Sequence, residues 1–185
     1  MHRHATVFLC TAIATTLAAC APAPVERDTP PPSNSAARAT ANLAPASASL
    51  VSGTLTLTTM GDGVHVGGEI GGLPPGLHGF HVHEHGDCSA ADASSAGGHF
   101  NPTNSAHGRA GTGPHHLGDT DNIVANAEGV ATIDKHLNDV TIGSGLANDI
   151  AGRAIIVHAA PDDYTSQPSG DAGARVACGV IAVIR

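Results

Sequence analysis

From residue 51 onward the chain alternates apolar residues with polar or small ones over short runs. Val51, Gly53, Leu55 and Leu57 fall on one side of a run that ends at Met60, with Ser and Thr opposite. Side chains two apart share a face of a strand, so this is the pattern of a half-buried β-strand. Gly61-Asp62-Gly63 predicts a hairpin turn and residues 64–70 the returning strand. A Gly/Pro turn over 71–76 leads to a third predicted strand at 77–84. Residues 86–121 carry no strand pattern, only Gly, Pro, Asn, Ser and His. A loop that long inside a compact domain points to function. Further short strands are predicted at 122–125, 130–137 and 154–158, then a polar loop at 159–173 and a closing strand at 174–184.

Composition narrows the fold class. Aromatic residues make up 2% of the 185, against 23 Gly and 12 Pro, so the core must be built from Val, Ile, Leu and Ala. Short β-rich runs between Gly and Pro turns favour an all-β sandwich or barrel. Before the first strand, residues 20–49 are rich in Ala, Pro and Ser without apolar periodicity, as expected of a disordered tether. The folded domain is therefore expected over 50–185.

The N-terminus sets the address. Met1-His2-Arg3-His4 precedes an apolar run from Ala5 to Ala19, too short to span a bilayer comfortably and arranged like an export signal. It ends in Leu17-Ala18-Ala19-Cys20, which resembles a bacterial lipoprotein signal. On that reading residues 1–19 are removed and Cys20 is lipid-modified; an ordinary secretory signal cut nearby is the competing reading. Either way the protein is exported, to the periplasm or cell envelope. Of the four cysteines, Cys10 leaves with the leader and Cys20 is acylated. Cys88 and Cys178 remain, an even pair in an oxidising compartment. A bridge between them would close a loop of about 90 residues, and two buried free thiols are the alternative. The formal charge is −8 with a single lysine, Lys135, and no basic run, so nothing suggests a nucleic-acid surface.

The chemistry is concentrated in His78-Gly79-Phe80-His81-Val82-His83-Glu84-His85-Gly86-Asp87-Cys88. On a strand, His81 and His83 share one face and can reach one metal ion, while Val82 points into a core. Downstream lie His99, His107, His116, Asp119 and His158. Six imidazoles and one carboxylate are enough for two metal sites that share a ligand. Imidazole suits copper and zinc, and a carboxylate alongside it suits zinc.

The segments HGFHVHEHGDC (78–88), GGHFNP (97–102), HLGD (116–119), VHAAPDD (157–163) and GARVACGVI (173–181) resemble the copper/zinc superoxide dismutases, in particular their exported bacterial branch. The resemblance runs from about residue 50 to the C-terminus. It implies a flattened eight-stranded Greek-key β-barrel with two long functional loops. It also implies dismutation of two superoxide anions and two protons to oxygen and hydrogen peroxide, by copper cycling between two oxidation states. Copper would be held by His81, His83, His99 and His158. Zinc would be held by His99, His107, His116 and Asp119, with His99 shared and delivering a proton to the second superoxide. Arg175 would attract and orient the anion beside copper, and Asp162 would bond His81 and His107 from behind. Cys88 and Cys178 would form the disulfide.

Each assignment has a competitor in the sequence. Asp163 adjoins Asp162, and His115 adjoins His116. His78 matches a structural position, whereas His65, His85 and His136 are expected to be solvated. Residues 159–173 contain no lysine, where many eukaryotic relatives carry lysines that steer substrate. Arg109 is a substitute candidate. Two other functional classes compete: a non-enzymatic copper-binding or copper-delivery domain on the same fold, and a metal-free adhesion module. Relatives of this type include monomers and homodimers, and no apolar patch legible in the sequence chooses between them.

Overall fold

The computed structural model describes residues 37–184. The expected leader, Cys20 and most of the expected tether lie outside those residues. Nine strands are present: β1 (Arg38–Pro45), β2 (Ser52–Met60), β3 (Gly63–Gly71), β4 (Gly76–His78), β5 (Phe80–His83), β6 (Ile123–Ala125), β7 (Ala131–Asn138), β8 (Ala154–His158) and β9 (Arg175–Ile184). Seven form one antiparallel sheet in the order β5-β8-β9-β1-β2-β3-β7, and β4 pairs with β6 in a second, two-stranded sheet. The one helical element among the described residues is a 3-10 turn at Ser94–Ala96. The all-β expectation holds, with the strands curled around one apolar core that includes Leu55, Leu57, Ile70, Phe80, Ile155 and Ile181.

The expected tether is corrected at its C-terminal end. Residues 38–45, placed in the tether, form β1, which lies between β2 and β9 and pairs with both. Ala39, Ala41 and Leu43 alternate inward. The alternation is genuine but is carried mostly by alanine, whose β signal is weak beside Ala, Pro and Ser neighbours. Gly179 on β9 permits the pairing, because a Cβ there would lie 2.7 Å from the carbonyl oxygen of Asn42. The domain therefore starts at or before Arg38 rather than at Leu50.

The single strand expected at 77–84 is also corrected. It breaks at Gly79, where the chain passes from pairing with β6 to pairing with β8. Counted as one strand, β4 and β5 would restore the expected eight. Any Cβ at Gly79 would lie 3.2 Å from the His81 ring and 3.3 Å from the Cβ of His158, so a side chain here would crowd two imidazoles. A two-residue turn at Gly61-Asp62 joins β2 and β3 as expected, with Gly61 at φ +60°.

We predict that a chain beginning at Ser35 melts with the full-length protein, because β1 is intact. A chain beginning at Leu50 exposes the edges of β2 and β9 and should melt ~10 °C lower or more. Equal melting temperatures by circular dichroism would contradict a structural role for β1.

Candidate metal centre

The site begins with the two faces of β5. Phe80 and Val82 join the main core, and His81 and His83, equally buried, lie on the opposite face. On β8, Ile155 and Val157 belong to that core, which leaves Ala154, Ile156 and His158 on the histidine side. The register pairs His81 with Ile156, and the His158 N–H donates to the Gly79 carbonyl at 2.9 Å. His158 is thereby fixed with its ring centroid 5.0 Å from that of His81.

The other ligand candidates come from loops pinned to this strand. The Val82 N–H donates to the Gly118 carbonyl at 2.9 Å, and the Phe100 N–H donates to the Val82 carbonyl at 2.8 Å. These bonds dock His99 on one side and His116 and Asp119 on the other. Two groups result, His81, His83, His99 and His158, and His99, His107, His116 and Asp119. Within each group the ligand atoms lie within 4.8 Å of one another, and all seven residues are buried.

The hydrogen bonds behind the rings decide what each group offers. His83 donates from Nδ1 to the Gly97 carbonyl at 3.0 Å, and His158 from Nδ1 to the Gly173 carbonyl at 3.3 Å. His81 donates from Nε2 to Asp162 Oδ2 at 2.8 Å, and His107 from Nε2 to Asp162 Oδ1 at 3.0 Å. Each ring has one nitrogen engaged outward, so the other turns a lone pair inward. Those inward atoms, His81 Nδ1, His83 Nε2, His158 Nε2 and His107 Nδ1, are buried without hydrogen-bond partners, as are His99 Nε2 and His116 Nδ1. Buried polar atoms are rarely left so. Six of them on two convergent groups fit metal ions.

Asp119 organises the second group. Its Oδ1 lies 2.7 Å from His99 Nδ1, 3.0 Å from His107 Nδ1 and 3.3 Å from His116 Nδ1. The last two make no aligned hydrogen bond and converge on the same point. Its Oδ2 accepts the N–H groups of His116 at 2.7 Å and Gly108 at 3.2 Å. Because His99 Nδ1 meets Asp119, its Nε2 is the atom available to the first group, and one ring serves both.

Electrostatics favour neutral imidazoles and ionised carboxylates. Burial pushes His81 down to about 4 and His158 down to about 3, and holds His83 well below the usual imidazole range. Burial works to raise Asp119, but the His99 hydrogen bond and the His116 amide outweigh it and hold the carboxyl below its ordinary value. Burial likewise opposes ionisation of Asp162, and the His81 bond, the Tyr164 amide and the His107 bond overcome it.

A pocket of about 510 Å³ opens over the first group and is lined by His83, His99, His158 and Arg175, with Glu84, Asn101, Asn104 and Ser169 among its other walls. Arg175 donates from its two terminal nitrogens to the carbonyls of Ala93 and Gly97, at 2.7 and 2.6 Å. It makes no ion pair among the described residues. Both acceptors sit in the loop tied to β9 by the Cys88–Cys178 disulfide, whose Cα atoms are 5.7 Å apart. A small apolar cluster, Ala46, Ala93, Ala96, Ala154 and Ile156, packs beneath it.

The neighbouring candidates lie elsewhere. Asp163 is exposed and caps Thr165 and Ser166. His115 bonds the Gly113 carbonyl at 2.7 Å. The His78 ring nitrogens lie 2.9 and 2.8 Å from the carbonyl oxygens of His158 and Pro74, a structural bridge. His65 and His136 bond Asp134 and Asp62 at the surface. Arg109 is paired with Asp121 at 2.7 Å, stacks over Tyr164 and does not line the pocket. Sequence reasoning missed Asn122 and Gln167, which hold Asp162 and His107 by their backbones. Amide side chains far away in sequence give no local signal.

The comparisons with known proteins agree with this geometry. The family model for copper/zinc superoxide dismutase (SODC) matches residues 51–181. The chain is 42% identical over 142 residues to a protein of Brugia pahangi named extracellular superoxide dismutase [Cu-Zn], covering 72% of this chain and 70% of that one. Among solved structures it resembles the clock protein EA4, with a TM-score of 0.72, 39% identity and coverage of 81% of this chain and 96% of that one. It also resembles a double mutant of a SOD-like protein from Bacillus subtilis, with a TM-score of 0.71, 34% identity and coverage of 77% and 96%.

Histidines depressed below the ordinary value of 6.5 take up protons in the unfolded chain before they do in the folded one. Stability of the metal-free protein is therefore intact above pH 6.5 and falls as pH drops toward 4, by up to ~1.4 kcal/mol per pH unit for each such histidine. A flat urea-unfolding midpoint across that window would contradict the assignment of neutral rings. In Cys178→Ser, loss of a crosslink spanning 90 residues should cost up to ~4 kcal/mol and loosen the anchor of Arg175. Equal metal retention and melting temperature in variant and wild type would count against that coupling.

Proposed function

We propose residue roles for this chain on the premise that it belongs to the copper/zinc superoxide dismutase family. It is a superoxide dismutase whose cofactors are copper and zinc. In our reading copper is held by His81, His83, His99 and His158, and zinc by His99, His107, His116 and Asp119. The observation that carries the reading is the set of six buried, partnerless ring nitrogens converging in two groups that share His99. The group with four imidazoles opens to the pocket and suits a redox copper. The group with a carboxylate meets the pocket through His99 and His116, and its mixed nitrogen and oxygen ligands suit zinc.

Copper, when bound, supplies the one-electron couple that oxidises one superoxide and reduces the next. The protein's own residues do the rest. The Arg175 guanidinium, with no carboxylate pairing it among the described residues, draws the anion into the pocket and orients it beside His83, His99 and His158. His99 would hold a proton at Nε2, taken from water, only while that nitrogen does not bind copper, and would pass it to the second superoxide, which leaves as hydrogen peroxide with a further proton from water. Asp162 holds His81 and His107 in one tautomer and one orientation through both half-reactions. A charged arginine at the pocket favours turnover of an anion over passive copper carriage, since a copper-delivery domain has no use for it.

The reading extends to the address. The chain is exported and lipid-anchored at Cys20 in the cell envelope, with the residues between Cys20 and β1 as its tether. The leader pattern, the disulfide and the extracellular designation of the Brugia pahangi relative support export.

Arg175→Ala should lower kcat/KM by about 10-fold or more with copper and zinc contents unchanged. His158→Ala should abolish dismutation while zinc is retained. Stopped-flow superoxide decay on samples of measured metal content checks both. Undiminished activity in His158→Ala would sink the copper assignment.

A further inference from the structure

Behind the two groups, two side-chain amides each grip the backbone of one residue at both of its polar atoms. Gln167 Nε2 donates to the His107 carbonyl at 2.9 Å, and Gln167 Oε1 accepts the His107 N–H at 2.9 Å. Asn122 does the same for Asp162: Nδ2 donates to its carbonyl at 2.9 Å and Oδ1 accepts its N–H at 2.8 Å. The two gripped residues are bonded to each other, His107 Nε2 to Asp162 Oδ1 at 3.0 Å. Each grip exchanges the same pair of bonds that two facing strand residues exchange.

These grips replace a ladder. Among the described residues no main-chain hydrogen bond joins the loop of residues 101–121 to that of residues 159–173. The loops meet instead through Gln167, the His107–Asp162 bond and the stacking of Arg109 on Tyr164. The passage of chain over this junction is built for closeness. Gly170, at φ +69°, would collide with the Asp162 carboxylate if it carried a Cβ, which would also lie 2.7 Å from His107 Nε2.

We infer that Gln167 is a positioning residue for His107 that sets how tightly zinc is held, and that Asn122 is a positioning residue for Asp162 on which both metals depend. The inference rests on the zinc and copper assignments proposed above. The two grips differ in what lies beyond them. His107 belongs only to the zinc group, whereas Asp162 bonds His81 of the copper group as well. Without Gln167, the His107 N–H and C=O lose their partners and the ligand is held by its ring alone. Ligands whose supporting bonds are removed typically lose 10- to 100-fold in metal affinity.

The test uses the full chain loaded with both metals. Zinc and copper release are followed separately, each to its own chromogenic chelator, in wild type, Gln167→Ala, Gln167→Glu and Asn122→Ala. We expect zinc release ~10-fold faster in Gln167→Ala with copper release near the wild-type rate. Gln167→Glu keeps the acceptor and loses the donor, so it should fall between, and it stands in if the alanine variant folds poorly. Asn122→Ala should speed release of both metals. Wild-type zinc release in both Gln167 variants would overturn the inference, and so would equal acceleration of zinc and copper, which marks general loosening. Failure of the unmutated chain to take up zinc would overturn the zinc assignment itself, and appears before any variant is compared.

Discussion

The centre depends on the two-sidedness of β5. Four consecutive residues, Phe80 to His83, are all buried, yet they are buried against different things. Phe80 and Val82 are held by the apolar core, and a one-residue slip would put imidazoles there and Phe80 among the ligands. The hydrophobic effect therefore sets the direction of His81 and His83, and β8 adds His158 by register. Burying three imidazoles side by side is unfavourable for their charged forms. Burial accordingly keeps His81, His83 and His158 neutral, the form in which they can bind a metal.

The rest of the site is made of loops, and its order comes from polar bonds rather than packing. Asp162 joins His81 to His107 with one carboxylate, so the strand-borne and loop-borne groups share a support. Asp119 gathers three ring nitrogens with one oxygen and is aimed by two amides with the other. The disulfide fastens the loop whose carbonyls hold Arg175, which makes this cation of the pocket part of the same framework. In the role we propose, that guanidinium, which makes no ion pair among the described residues, would supply the attraction for an anion in a chain of formal charge −8.

Much of this was legible in the sequence, for identifiable reasons. His81 and His83 could be placed because strand alternation is strict, and β8 and the closing strand because runs of Val and Ile are strong signals. β1 was missed because Ala39 and Ala41 alternate with Thr40 and Asn42 in a stretch whose composition otherwise suggests a tether. The break at Gly79 was missed because a change of partner strand leaves no trace in periodicity. Asn122 and Gln167 lie 40 and 60 residues from the backbones they hold, and only the folded loops bring them together. Arg109 offered charge in the right loop, but Asp121 neutralises it away from the pocket.

The sharing of His99 is the central claim, and magnetic coupling tests it most directly. With cobalt(II) in place of zinc and copper(II) in its own group, one imidazole bridging both ions couples their spins. The copper electron paramagnetic resonance signal should then vanish, and return when the cobalt is withheld. An unchanged copper signal in the doubly loaded protein would mean that the two ions share no ligand, and would contradict the account.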